Sequence, residues 1–240
     1  MLISFVTLST QARDLDCQAK WDGFQDSKML QNKYRRVTGL CNLEAKQALE
    51  SLVRRHSSIS YKAAKKKMFG RIDNHHGEVC SVYSEHCLRT NKVPNHRVMN
   101  AEHTWPKSKG ADKKPAVSDL HHLFPCDSKI NSDRSSYPFC EVKEVISTNG
   151  MSSLGKDKSG STCFEPPLAH RGNIARAMFY FSVRYQKKID AKQEAWFKKW
   201  HKEDPVDAAE IRRNSDISKI QNNSNPFIDQ PELVDFISNF

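Results

Sequence analysis

Between residues 173 and 188, Ile174, Ala177, Met178, Phe181 and Tyr185 recur at the spacing of one helix face. A helix with so broad an apolar and aromatic stripe must bury it against other elements. The chain is therefore organised around buried helices, and this feature limits the fold more than any other. Trp196, Phe197 and Trp200 mark a second helix of the same kind. Residues 42–56 read as an amphipathic helix with Ala48, Leu49, Leu52 and Val53 on one side. Ser60 is placed to cap a further helix through Tyr61, Ala64 and Met68 that stops at Gly70. Asp204-Pro205 reads as a helix start, with Asp204 as cap and Pro205 at the first position, leading into Val206, Ala209, Arg213, Ile217 and Ile220. Pro231 opens a last short helix. The aromatic stripes are read as core rather than as a platform for stacked bases.

Strand signals are few. Residues 79–83 and 97–103 read as short strands, and 117–124 as a returning strand after a loop over 104–118 that contains Pro106, Gly110 and Pro115. Asp127 is placed to cap a short helix through Arg134. Residues 141–172 read as mostly irregular. The expected fold is α+β: one mostly helical domain around a small antiparallel hairpin followed by a short helix.

The 240 residues suffice for one well-cored domain, and no stretch approaches the apolar length of a membrane span. The net charge of +10 favours polyanionic partners, nucleic acid among them. The lysines at 62 and 65–67 read either as a solvated helix face or as phosphate contacts. The seven cysteines form no CxxC pair, so a structural zinc protein is disfavoured and an oxidising compartment with disulfides is favoured. An odd count leaves at least one cysteine without an internal partner. Short loops single out Cys80 with Cys87 and Cys126 with Cys140 as expected pairs. Residues 1–12 resemble the second half of a signal peptide, with an apolar run and a Thr-Gln-Ala cleavage-like string but no basic start. The expected organisation is thus a leader remnant at 1–12 and one folded domain at 13–240.

The chemistry concentrates in 100–139. Hydrolysis of a phosphodiester needs a base for the attacking water, neutralisation of charge on phosphorus and stabilisation of the leaving oxygen. Neutral histidine can take the proton near neutral pH. A carboxylate with an amide oxygen suits a hard cation such as Mg²⁺, which keeps several waters. Glu102-His103 places an acid beside an imidazole, and on a strand such neighbours share one site only at a strand end or a bulge. Asn131 and Arg134, at i and i+3, share a face of the short helix.

The wider pattern resembles the endonuclease I family of bacterial periplasmic and secreted nucleases. The resemblance runs over roughly 55–235. It begins at Tyr61-Lys62-Ala63-Ala64, Met68-Phe69 and Val82-Tyr83, and peaks at Asn100-Ala101-Glu102-His103-Thr104-Trp105-Pro106-Lys107-Ser108. It continues through Ser118-Asp119-Leu120-His121-His122-Leu123-Phe124-Pro125, Asn131-Ser132-Asp133-Arg134-Ser135-Ser136, Gly172-Asn173-Ile174-Ala175-Arg176-Ala177-Met178, Asp204-Pro205-Val206 and Asn225-Pro226-Phe227-Ile228-Asp229. It implies a ββα-metal (His-Me finger) hairpin and helix, with His103 as general base and Glu102 and Asn131 as ligands for Mg²⁺, for which Mn²⁺ can substitute. Arg134 is assigned to phosphate contact or to support of the site. The implied activity is sequence-nonspecific, metal-dependent cleavage of DNA, and of RNA as the family's other substrate. Products carry 5′-phosphates, and binding is mainly through phosphates, by a monomer outside the cytoplasm and without a membrane partner.

Two departures stand out. Better-known members carry an arginine in the loop after the Glu-His pair, where 104–118 here holds only the lysines 107, 109, 113 and 114. Val117 stands where some members have glutamate. His121 and His122 read as structural histidines rather than ligands, and Asp119 as a group that could orient His103 or His121. The alternative to a nuclease is a basic nucleic-acid-binding or uptake protein without catalysis. The set Glu102, His103 and Asn131 argues against it, because a pure binder has no need of a base beside hard-metal ligands.

Overall fold

A computed structural model of the chain describes residues 15–24 and 30–240. The leader-like segment read at 1–12 lies outside the described residues. Helical residues 15–24 (α1) are followed by α2 (Asn42–Val53) and α3 (Tyr61–Lys67). The Ser60 hydroxyl caps α3 by accepting the Ala63 N–H at 3.1 Å. The helix does not stop at Gly70 but runs on as a π turn to Ile72, because Met68, Phe69 and Ile72 all find burial there.

The central feature is a hairpin of β3 (Met99–His103) and β4 (Leu123–Asp127), preceded by a small ribbon of β1 (Glu78–Cys80) and β2 (Cys87–Arg89). In the antiparallel register, Glu102 faces Phe124 and His103 faces Leu123. The returning strand starts later than the sequence indicates. Residues 116–118 and 120–122 form 3₁₀ turns instead, because the Asp119 carboxylate accepts the His121 N–H at 3.1 Å and holds the second turn closed. From β4 the chain enters α4 (Ser128–Arg134) directly, capped by Asp127 Oδ1 through the N–H groups of Lys129 (2.8 Å) and Ile130 (3.2 Å).

Residues 141–172 are not irregular. They contain a three-stranded meander of β5 (Glu144–Thr148), β6 (Ser153–Lys156) and β7 (Thr162–Glu165). Every residue of β5 is exposed, so no apolar alternation announces it. The turn chemistry was the available signal. Gly150 follows Asn149 at φ 87°, and Gly160 closes the next turn at φ 77°, both in the left-handed region that glycine enters without strain.

The buried helix of the sequence is α5 (Arg171–Tyr185), with Ile174, Phe179, Tyr180 and Phe181 fully buried. It packs on α2 and on α6 (Ala191–Glu203), where Phe197 and Trp200 complete the main core. The Asp204-Pro205 start is displaced. Asp204 ends α6 and accepts the Gly172 N–H at 2.8 Å, while Asp207 caps α7 (Ala208–Gln221) through the Glu210 N–H at 2.7 Å. The chain closes with α8 (Pro226–Asp229) and a 3₁₀ turn opened by Pro231. A second apolar cluster joins Ala64, Met68 and Phe69 of the α3 region to Met99, Ala101 and Leu123 of the hairpin and Ile217 of α7. It braces the hairpin from beneath. The whole is a mixed α+β domain, mostly helical. Among the described residues no helix is long and apolar enough to cross a membrane.

Three disulfides join Cys17–Cys41, Cys80–Cys87 and Cys140–Cys163. The Cys80–Cys87 pair is the one the short loop indicates. The Cys126–Cys140 pairing is overturned: Cys126 is a buried free thiol on β4, and Cys140 lies beside β7, where its N–H donates to Phe164 O at 3.1 Å. Strand pairing, not loop length, brought Cys140 to Cys163.

Candidate active site

Glu102 and His103 end β3, and the end of a strand lets both neighbours reach one space. A cleft of about 550 Å³ is lined by Glu102, His103, Asn131 and Arg134 together, with Tyr61, Lys65 and Lys107 on its α3 side. The four residues singled out by sequence therefore meet.

Each is held differently. Glu102 is 2% exposed, and its Oε1 accepts the Tyr83 hydroxyl at 3.0 Å. Arg134 Nε lies 3.3 Å from the same oxygen without the alignment of a hydrogen bond, so that contact is mainly charge on charge. Burial raises the Glu102 pKa above its ordinary value, and Arg134 and Tyr83 act against it. Both side-chain partners sit on Oε1, which leaves Oε2 as the oxygen for another ligand.

Asn131 is oriented by its neighbours. Its Nδ2 donates to Asn100 Oδ1 at 2.6 Å and Ala101 O at 3.4 Å. Asn100 in turn donates from Nδ2 to Ser128 Oγ at 3.1 Å. With the amide nitrogen committed, Oδ1 is the end of Asn131 left to bind a cation. A carboxylate oxygen and an amide oxygen on one cleft match the donor chemistry of a hard divalent ion, whose remaining positions water can fill.

His103 approaches from the other side. Its Nε2 lies 3.1 Å from the carbonyl oxygen of Val117. A carbonyl can only accept, so Nε2 carries the hydrogen and Nδ1 keeps its lone pair. Burial lowers the His103 pKa to about 3, with His122 and Lys107 adding to the shift and the Val117 and Ala101 carbonyls opposing it. The ring is neutral throughout the physiological range. The contact is to the backbone of residue 117, so it does not depend on that residue's side chain.

Arg134 is 2% exposed and donates to backbone carbonyls: Nη2 to Thr104 O at 2.9 Å, and Nη1 to Ser135 O at 3.1 Å and His103 O at 3.4 Å. Of the two roles open to it, these contacts fit support. It ties α4 to the end of β3 and faces the Glu102 charge. Lys65 and Lys107 on the cleft wall form no ion pair among the described residues, and their ammonium groups lie 4.9 and 5.8 Å from the centre of the Tyr61 ring.

His121 and His122 are buried against backbone carbonyls, of Asn223 at 3.2 Å and Ala116 at 2.7 Å. Asp119 does not reach the His103 ring or the His121 ring. Its oxygens accept from Tyr180, Tyr185, Gln221 and the His121 backbone. It anchors the 116–122 segment that carries the Val117 carbonyl.

Sequence reasoning missed Tyr83, Asn100 and the Val117 carbonyl. Tyr83 sits in the loop closed by Cys80–Cys87, and the same loop reaches α4's cap through His86 Nδ1, 2.7 Å from Asp127 Oδ2. Nothing local in the sequence marks these partnerships.

The endonuclease I profile matches residues 41–232. The chain belongs to the endonuclease I family. Among its relatives, an extracellular ribonuclease of Bacillus amyloliquefaciens is 30% identical over 230 residues, which is 85% of this chain and 77% of that protein. The extracellular ribonuclease of Bacillus subtilis (strain 168) is 34% identical over 58% of this chain and 53% of its own length. A periplasmic deoxyribonuclease of Aeromonas hydrophila is 33% identical over 51% of this chain and 52% of its own length. The chain thus spans about half the length of the last two. The hairpin, α4 and the whole cleft wall fall inside the endonuclease I match.

Proposed function

We propose that this chain is a divalent-metal-dependent, sequence-nonspecific endonuclease that hydrolyses phosphodiester bonds of DNA and RNA to 5′-phosphate products. The observation that carries the reading is the convergence of Glu102, His103 and Asn131 on one cleft within the matched region. Glu102 Oε2 and Asn131 Oδ1 would hold the ion, Mg²⁺ or Mn²⁺. A bound ion of this kind supplies Lewis-acid stabilisation of charge on the phosphoryl group and the leaving oxygen. The β3–β4 hairpin with α4 is then a ββα-metal unit.

His103 acts as general base. Its Nδ1 lone pair accepts the proton of the attacking water, and the Val117 carbonyl holds the ring and stabilises the imidazolium that forms. Arg134 positions rather than reacts: it keeps the Glu102 carboxylate and the β3 end in place. Lys65 and Lys107 face the incoming phosphates, and Lys107 belongs to the 104–118 loop, in which better-known members of the family carry an arginine. As a point charge it neutralises without arginine's two-pronged grip.

Substrate is bound by a monomer, through phosphates, so base sequence matters little. The disulfides and the exported relatives support a periplasmic or extracellular site of action. The test is incubation of the pure protein with plasmid DNA and with structured RNA, in Mg²⁺, Mn²⁺ or EDTA, read on a gel. Nicking and smearing with either ion and intact substrate in EDTA are expected. Cleavage that persists in EDTA would remove the metal from the reading, and no cleavage under any condition would remove the nuclease.

A further inference from the structure

A second cavity lies behind the cleft. It has a volume of about 150 Å³ and shares Pro106, Arg134 and Ser136 with the cleft as common wall. Its floor is apolar, with Trp105, Met178 and Ile189 buried or nearly so. Its rim carries Tyr137, Lys109 and Lys188.

Tyr137 is 39% exposed and makes no ring–ring contact among the described residues. The ring stands on rigid backbone: the Tyr137 N–H donates to Arg134 O at 3.1 Å, and Pro138 O accepts the Phe164 N–H at 2.9 Å. Lys109 and Lys188 are exposed and form no ion pair among the described residues. Asp190, the carboxylate in this wall, is engaged in capping α6 through the N–H groups of Lys192 and Gln193.

We infer that this cavity is a subsite for an unstacked nucleotide of the substrate strand, flanking the phosphate cut in the adjoining cleft. The base stacks on Tyr137 above the apolar floor, and Lys109 and Lys188 contact the phosphates on either side of it. Because Pro106, Arg134 and Ser136 line both spaces, the cavity is the next one along the wall from the cleft. The inference rests on the nuclease reading for the identity of the ligand. A stacked ring accepts any base, so the subsite adds affinity without adding sequence preference.

The test uses the full-length, oxidised protein. With a single-stranded decamer and Mg²⁺, Tyr137→Ala raises KM about fivefold or more, the low end for one base lost from an aromatic ring, with kcat within about twofold. Tyr137→Phe keeps the ring and stays near wild type. Lys109→Ala and Lys188→Ala each reduce the slope of log affinity against log salt by about one. In EDTA, where nothing is cut, decamers with 2-aminopurine at successive positions show quenching that is lost in Tyr137→Ala and kept in Tyr137→Phe. An unchanged KM and unchanged quenching in Tyr137→Ala overturn the subsite, as does equal loss in the alanine and phenylalanine variants. Failure of the nuclease reading looks different: wild-type protein then leaves plasmid and RNA intact in Mg²⁺ and Mn²⁺, while the quenching measurement is scored on its own.

Discussion

The tautomer of His103 follows from its hydrogen bond to the Val117 carbonyl, 3.1 Å from Nε2. Because the Val117 carbonyl takes the Nε2 hydrogen, the basic nitrogen is Nδ1, and burial keeps the ring neutral. His103→Ala should therefore cut kcat by about 10²-fold or more, the usual scale for loss of a general base. Metal affinity should barely move, because the proposed ligands are Glu102 and Asn131. Wild-type turnover by the pure variant would remove His103 from the role. Tyr83 belongs to the same scale. Its hydroxyl is the aligned hydrogen bond on Glu102 Oε1, deep in the core. Tyr83→Phe removes that bond and leaves the carboxylate to Arg134. A hydrogen bond to a charged group contributes about 1.5–3 kcal/mol. The variant should unfold at lower temperature and need more Mn²⁺ for half-saturation, measured by titration of the metal against its electron-spin signal. A lower melting temperature with unchanged Mn²⁺ affinity would reduce Tyr83 to a packing role.

At the scale of elements, α4 governs the site because it delivers Asn131 and Arg134 from one face. The helix has seven residues, too few to persist alone, so its start matters. Asp127 caps it with one oxygen and meets His86 with the other. Asp127→Ala should cost about 1 kcal/mol through the lost cap. It should also weaken metal binding, although Asp127 hydrogen-bonds to neither proposed ligand, Glu102 or Asn131. Thermal unfolding and the same Mn²⁺ titration check both effects, and an unchanged metal affinity would mean that packing alone holds α4. The β5–β7 meander teaches the opposite lesson about elements. Its outer strand has no buried residue, so hydrophobic alternation could not reveal it, and hydrogen bonding to β6 defines it. Gly155 shows how tight that pairing is: a Cβ there would come within 2.3 Å of Glu144 O.

At the scale of the whole molecule, burial of histidines sets the response to acid. His121, His170 and His201 have pKa values lowered to about 4, 3 and 4, with burial the largest cause in each. The folded state holds these rings neutral, while an unfolded chain protonates them near pH 6.5. Each therefore contributes stability that is fully present above about pH 6.5 and is lost as pH falls towards the folded value near 3 or 4. Urea midpoints should drop clearly between pH 7.5 and 5, and equal midpoints would contradict the burial. The cysteines give a second global check. One thiol, Cys126, should react with Ellman's reagent in denaturant, and none should react in native buffer, where it is 0% exposed. Two or more reactive thiols in unfolded, unreduced protein would contradict the disulfide set.

Much of this organisation was written locally. The stripe from Ile174 to Tyr185 required α5, Ser60 and Asp127 announced their helices, and Glu102, His103 and Asn131 stood out within a family pattern. These are short-range signals: periodicity, capping and residue type act over one or two turns. Tertiary structure decided the rest. Glu102 meets Tyr83 across 19 positions, and Arg134 reaches Thr104 across 30, so chain folding alone chose these partners. Cys140 took Cys163 instead of the nearer Cys126 because β7 passes beside it. Arg134 looked free to grip phosphate until the fold surrounded it with carbonyls that need donors. A sequence specifies which groups are available. Which of them remain exposed to bind substrate depends on which buried polar atoms must be satisfied first, and that is settled only when distant segments pack.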